Sequence, residues 1–70
     1  MQRTPVNSSN LSSVGYDVHS AILEVAFHHG GVYQYYGVPA STHAALMAAG
    51  SHGSYLAHHV KGRFRYRKVR

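Results

Sequence analysis

Apolar and polar positions alternate over two neighbouring stretches of the chain, and a glycine-containing turn divides them. Ile22-Leu23-Glu24-Val25-Ala26-Phe27 precedes His28-His29-Gly30-Gly31, and Val32-Tyr33-Gln34-Tyr35-Tyr36-Gly37-Val38-Pro39 follows it. β-branched and aromatic residues on both sides of such a turn predict an antiparallel hairpin. A three-residue loop, His29-Gly30-Gly31, lets glycine take the left-handed position that such loops need. That loop pairs Phe27 with Tyr33, Val25 with Tyr35 and Leu23 with Gly37. One face then collects Leu23, Val25, Phe27, Tyr33 and Tyr35, and the other carries Glu24, Ala26, His28, Gln34 and Tyr36. A two-residue loop would set Gln34 opposite Val25 on the apolar face, where an unpaired amide is costly, so the first register is preferred.

Upstream, Val14, Tyr16 and Val18 alternate with Ser13, Gly15 and Asp17, which predicts a strand from Leu11 to Val18. A turn over Asp17 to Ser20 joins it to the hairpin, so that three strands form a meander. Residues 1–10 are polar, with Pro5 and an Asn7-Ser8-Ser9-Asn10 cluster, and read as a flexible N-terminal arm leading into a single domain over 11–70.

Beyond Pro39 the composition changes to strong helix formers. Pro39 suits the entry to a helix that Ala40 or Ser41 opens and that runs through Thr42-His43-Ala44-Ala45-Leu46-Met47-Ala48-Ala49. Gly50 is placed to close it, and Ser51 to cap a second helix over His52 to Val60, which Gly62 stops. The final run, Arg63-Phe64-Arg65-Tyr66-Arg67-Lys68-Val69-Arg70, alternates strictly over its first five residues and predicts a fourth strand, with Phe64 and Tyr66 toward the helices and Arg63, Arg65 and Arg67 on the opposite face. The expected fold is a small α+β domain, β-β-β-α-α-β, with a largely antiparallel sheet and two short helices on one face.

Composition sharpens this picture in two ways. At 70 residues without cysteine, the chain is near the lower limit for a single core and has no covalent staple, which favours a homodimer or larger assembly. Seven Lys and Arg face only Asp17 and Glu24, a formal +5, and six of the basic groups fall between Lys61 and Arg70. Such asymmetry points to an anionic partner, the plainer alternative being a solubilising tail. No apolar stretch approaches the roughly 18 residues of a membrane span, and the N-terminus has no apolar signal core, so no membrane association and a cytoplasmic location are expected.

Among residues able to do chemistry, the C-terminal arginines stand out. On one strand, Arg63, Arg65 and Arg67 are spaced about 6.6–7 Å apart, close to the step between phosphates of an extended nucleic acid, and guanidinium groups suit bidentate phosphate contacts. Lys61 and Lys68 flank them. Tyr36 and Gln34 share the predicted open face, and Tyr36 is the better candidate for base stacking, because Tyr33 and Tyr35 fall under the helices.

Seven histidines raise the question of a metal. His52 and His59 would stand about 10.5 Å apart along a helix, too far for one ion, and the adjacent pairs His28-His29 and His58-His59 diverge. No metal ligands and no cofactor are therefore assigned. Paired-carboxylate catalysis would need Asp17 and Glu24 to meet, which the layout does not provide, and Gly50-Ser51-His52-Gly53 lacks the second glycine spacing of a nucleophile elbow. No catalytic residues are assigned either.

Val14-Gly15-Tyr16-Asp17, Leu23 to Phe27, Gly31-Val32-Tyr33-Gln34-Tyr35-Tyr36-Gly37-Val38-Pro39 and Ala49-Gly50-Ser51-His52-Gly53-Ser54-Tyr55 together resemble the KTSC family, a short domain named for its occurrence at the C-terminus of some lysyl-tRNA synthetases. The resemblance covers nearly the whole chain. It implies a small domain without assigned activity or catalytic residues, for which RNA binding has been suggested. The sequence departs from the family pattern at Leu56-Ala57, where a Phe-Asn pair is usual, and at Phe64, where tyrosine is usual.

The function expected is that of a small non-enzymatic module binding RNA or another nucleic acid through Tyr36, Gln34, Lys61, Arg63, Arg65, Arg67 and Lys68. Two alternatives stand beside it: a protein-interaction or homo-oligomerisation domain, and an oligomeric binder that sequesters a small nucleotide.

Overall fold

A computed structural model describes residues 1–70. Five strands form one antiparallel sheet in the order of the sequence: β1 (Thr4–Pro5), β2 (Leu11–Asp17), β3 (Ile22–Phe27), β4 (Gly31–Tyr36) and β5 (Tyr66–Lys68). Between β4 and β5 the chain makes two helices, α1 (Ala40–Ala48) and α2 (His52–His59). No helix is long and apolar enough to cross a membrane. The expected α+β arrangement is present, with one strand more than expected.

That additional strand comes from the segment read as a flexible arm. Thr4 pairs with Val14 and Pro5 with Ser13, and Val6 N–H donates to the Ser12 carbonyl at 3.2 Å. Proline tolerates this place because β1 is a sheet edge, where a missing N–H costs little. Composition concealed the strand: its anchor is one side chain, Arg3, which reaches Ser13 and Glu24 on the neighbouring strands.

The central hairpin keeps its predicted faces in a different register. Phe27 pairs with Gly31, Val25 with Tyr33 and Leu23 with Tyr35, so the loop is His28-His29-Gly30 and each partner is displaced by two residues from the expected pairing. A shift of two preserves the side of the sheet each residue occupies. Leu23, Val25 and Tyr35 therefore still join the core. Tyr33 now meets Phe27 diagonally, edge-on, with ring centroids 5.6 Å apart.

Leu11, Val14, Leu23 and Val25 from the sheet pack against Val38, Leu46, Leu56 and Val60 from the helical half. Each helix contributes one fully buried residue, Leu46 from α1 and Leu56 from α2. Ser51 caps α2 as expected, its hydroxyl accepting from Ser54 N–H at 3.2 Å. Gly50 does not close α1: the cap is Ala49, in extended backbone, whose N–H reaches the Leu46 carbonyl at 3.3 Å. His52 Nδ1–H donates to that same carbonyl at 2.8 Å, so a side chain of α2 satisfies the end of α1 in place of a left-handed glycine.

Candidate functional site

The residues expected to bind fall on two sides of the sheet edge formed by β4 and β5. Tyr66 pairs with Tyr35, Arg67 with Gln34 and Lys68 with Tyr33. Strand alternation therefore sends Tyr66 and Lys68 to the helix side and Arg67 to the opposite side. Arg65 extends the ladder by one residue, its carbonyl accepting from Tyr36 N–H at 2.9 Å, and shares the side of Arg67.

Arg63 does not belong to this row. It lies in the turn after α2, and its Nε–H donates to the carbonyl of His58 at 3.3 Å, near the end of that helix. The expected row of three arginines is thus a pair, because β5 begins later than the alternation of Arg63 to Arg67 suggested. Alternation is a property of sequence, and the turn that Gly62 makes in left-handed backbone (φ +80°) uses up its first residues.

On the side away from the helices, Glu24 is the centre. Its carboxylate accepts from Arg3 at 2.6 Å and from the amide of Gln34 at 2.9 Å, and Tyr36 Oη donates to Gln34 Oε1 at 3.4 Å. Burial raises the pKa of this carboxyl, but hydrogen bonds from Gln34 and Arg3, with the charge of Arg3, outweigh it and hold the group below its ordinary value. Gln34 and Tyr36 were expected as free ligand contacts. They are instead committed to this network, and Arg65 and Arg67 are the uncommitted groups beside it.

On the helix side a cleft of about 670 Å³ opens between the sheet edge and α2. Phe27, Tyr33, Tyr35 and Tyr66 supply its aromatic wall, and Lys61 and Asn10 reach it from the rim. The rings of Tyr33 and Tyr35 lie 5.8 and 5.9 Å from that of Tyr66, and Lys61 Nζ sits 5.2 Å over the Phe27 ring. Tyr66 is 62% exposed, an unusual setting for a large ring on the covered side of a sheet.

No local signal announced this cleft, because alternation along the chain sets the side of Tyr66 without setting strand order. Helix width holds the signal. Two helices, each about 10 Å across, span roughly four strands at about 4.8 Å spacing, so a fifth strand must protrude. β5 is one edge of that sheet, and its tyrosine is left uncovered.

Charge pairing separates the basic groups further. Arg3–Glu24 is the chain's single ion pair, and Asp17, the other carboxylate, lies at the β2–β3 turn, where its side chain accepts from His19 N–H at 3.0 Å. Hydrogen bonds from Ser20 and His19 hold Asp17 below its ordinary pKa. Lys61, Arg63, Arg65, Arg67, Lys68 and Arg70 thus have no carboxylate partner.

Comparison with known proteins identifies relatives of the whole architecture. The model of the KTSC domain matches residues 7–64. An uncharacterized protein of Stutzerimonas stutzeri is 43% identical over 56 residues, covering 80% of this chain and 79% of that one. A protein of Tsukamurella paurometabola is 43% identical over 61 residues, covering 87% and 91%. The crystal structure of a KTSC domain protein from Yersinia pestis superposes with a TM-score of 0.97 at 43% identity, over 99% of this chain and 97% of that chain.

Proposed function

The chain belongs to the KTSC domain family, and from the charge and geometry of its C-terminal edge we propose that it is a small non-enzymatic module that binds RNA or another single-stranded nucleic acid. The observation that carries this reading is the composition of one exposed strand. β5 presents Tyr66 and Lys68 to one side and Arg67, continued by Arg65, to the other.

An extended nucleic acid along this edge meets both chemistries it requires. Phosphates are attracted by cations with no carboxylate competing for them, and a base finds an exposed ring to stack on. Binding of this kind is tolerant of sequence, since every base has a π-face and every nucleotide a phosphate.

The test is titration of a mixed-sequence single-stranded RNA into the protein at two salt concentrations. Wild type binds, more weakly at high salt, and Arg65→Gln/Arg67→Gln binds more weakly with a shallower salt dependence. Equal affinity and equal salt dependence in the two proteins would overturn the reading. A dimeric mass in solution with no RNA binding would favour a protein-interaction domain instead.

A further inference from the structure

Tyr35 is only 3% exposed, yet its hydroxyl makes no hydrogen bond within the protein. No buried side-chain oxygen or nitrogen lacks a partner, so this hydroxyl is in reach of solvent, and the cleft that Tyr35 lines is where it emerges. Tyrosines packed against a core ordinarily turn their hydroxyl to a protein acceptor, as half-buried Tyr16 does to the Val38 carbonyl at 2.6 Å. Tyr35 ends instead as a donor at the bottom of an aromatic cleft.

Three further features share that cleft. Tyr66 and Tyr33 offer π-faces beside the hydroxyl. Lys61 brings a positive charge with no carboxylate partner to the rim. The volume, about 670 Å³, lies within the roughly 300–1,000 Å³ typical of small-molecule pockets. A ligand matching all of these is planar and aromatic, carries a hydrogen-bond acceptor on its ring edge, and bears an anion a few bonds away.

We propose that the cleft between β4, β5 and α2 is a nucleotide pocket, with the base stacked against Tyr66 and Tyr33, an acceptor on its edge bonded to the Tyr35 hydroxyl, and the phosphate drawn to Lys61. The inference rests on the nucleic-acid reading for its ligand class and goes beyond it in two respects. It names a site on the side of the sheet opposite Arg65 and Arg67, and it makes a single nucleotide sufficient for binding. Burial and the neighbouring Tyr33 and Tyr66 push the pKa of Tyr35 above its ordinary 10.0, which keeps the group a phenol and a donor.

Nuclear magnetic resonance titration of the full chain with AMP, GMP, CMP and UMP, and with ribose 5-phosphate and inorganic phosphate, tests this. At least one mononucleotide should shift the amides of Tyr33, Gly53, Lys61 and Tyr66 at millimolar concentration, and ribose 5-phosphate should bind more weakly. Tyr35→Phe removes only the hydroxyl. It should weaken that nucleotide roughly three- to tenfold, the range for one hydrogen bond, while the melting temperature stays equal or rises, because no internal bond is lost. Lys61→Gln should weaken it further, and Arg65→Gln/Arg67→Gln should leave it unchanged.

Binding of inorganic phosphate as tight as that of the nucleotides, or unchanged binding by Tyr35→Phe, would overturn the pocket. So would the absence of mononucleotide binding where single-stranded RNA still binds, in which case the arginine edge stands alone. Failure of both ligands would overturn the pocket together with the nucleic-acid reading.

Discussion

The guanidinium of Arg3 lies 2.6 Å from the carboxylate of Glu24, joining the first strand of the sheet to its third across β2. Glu24 is 8% exposed and sits on the side of the sheet without helices. A buried carboxylate is costly unless paired, so this contact both neutralises Glu24 and holds the N-terminal segment in place.

Arg3→Ala should therefore destabilise the fold by about 1–2 kcal/mol, less than for a fully buried pair because Arg3 keeps some contact with water. The pH dependence follows from the depressed pKa of Glu24. Its contribution to stability is fully present above the ordinary value of 4.5 and is lost as pH falls through the lower value of the folded state. Urea denaturation across this acid range should show a shallower decline for Arg3→Ala than for wild type.

Gly15→Ala should produce a related defect by another route. A Cβ at this position would stand 2.6 Å from the carbonyl oxygen of Gln2, so the segment before β1 must move away. Loss of protection of the Val6 amide in hydrogen exchange, with the β3–β4 amides unaffected, is the expected signature.

Leu46→Ala should cost about 2–5 kcal/mol, since Leu46 is the only fully buried residue of α1 and leaves a cavity against the sheet. Ser51→Ala, which removes only the α2 cap, should cost about 1 kcal/mol. Thermal melting of the two variants should preserve this order.

The two tyrosines on opposite sides of the β4–β5 edge should behave differently toward single-stranded RNA. Tyr66→Ala should lower affinity by about 1–3 kcal/mol with little change in salt dependence, because stacking releases no counterions. Tyr36→Phe should leave affinity unchanged, as its hydroxyl serves Gln34. Replacing Arg65 and Arg67 should instead lower the log–log salt slope by about 1.4, at about 0.7 for each phosphate contact on a single strand. Fluorescence anisotropy over a salt series measures all of these.

Much of the fold was legible from the sequence because its signals are local. The alternation in Ile22 to Tyr36 identified two strands and their inner faces, and Ser51 announced the start of α2. The exact register was not legible, since pairing Phe27 with Tyr33 or with Gly31 buries the same side chains. The candidate site was less legible still. Lys61, Arg65, Arg67 and Lys68 were singled out from charge, but Gln34 and Tyr36 are held in a network around Glu24, Gln34 bonding the carboxylate directly and Tyr36 bonding Gln34, while Arg3 pairs with Glu24 from 21 positions away. Tyr66 and Phe27 entered only when the strand order put β5 outside the cover of the helices.

A free sheet edge is a template for further strands, and β5 is such an edge. Its three residues, Tyr66-Arg67-Lys68, are few and mostly cationic, so two copies of this chain repel each other where they would otherwise zip together. The same cations thus act as a guard against edge-to-edge aggregation. Polyanions that neutralise them lift that guard, and this chain's colloidal stability should then pass through a minimum where bound negative charge balances its own +5.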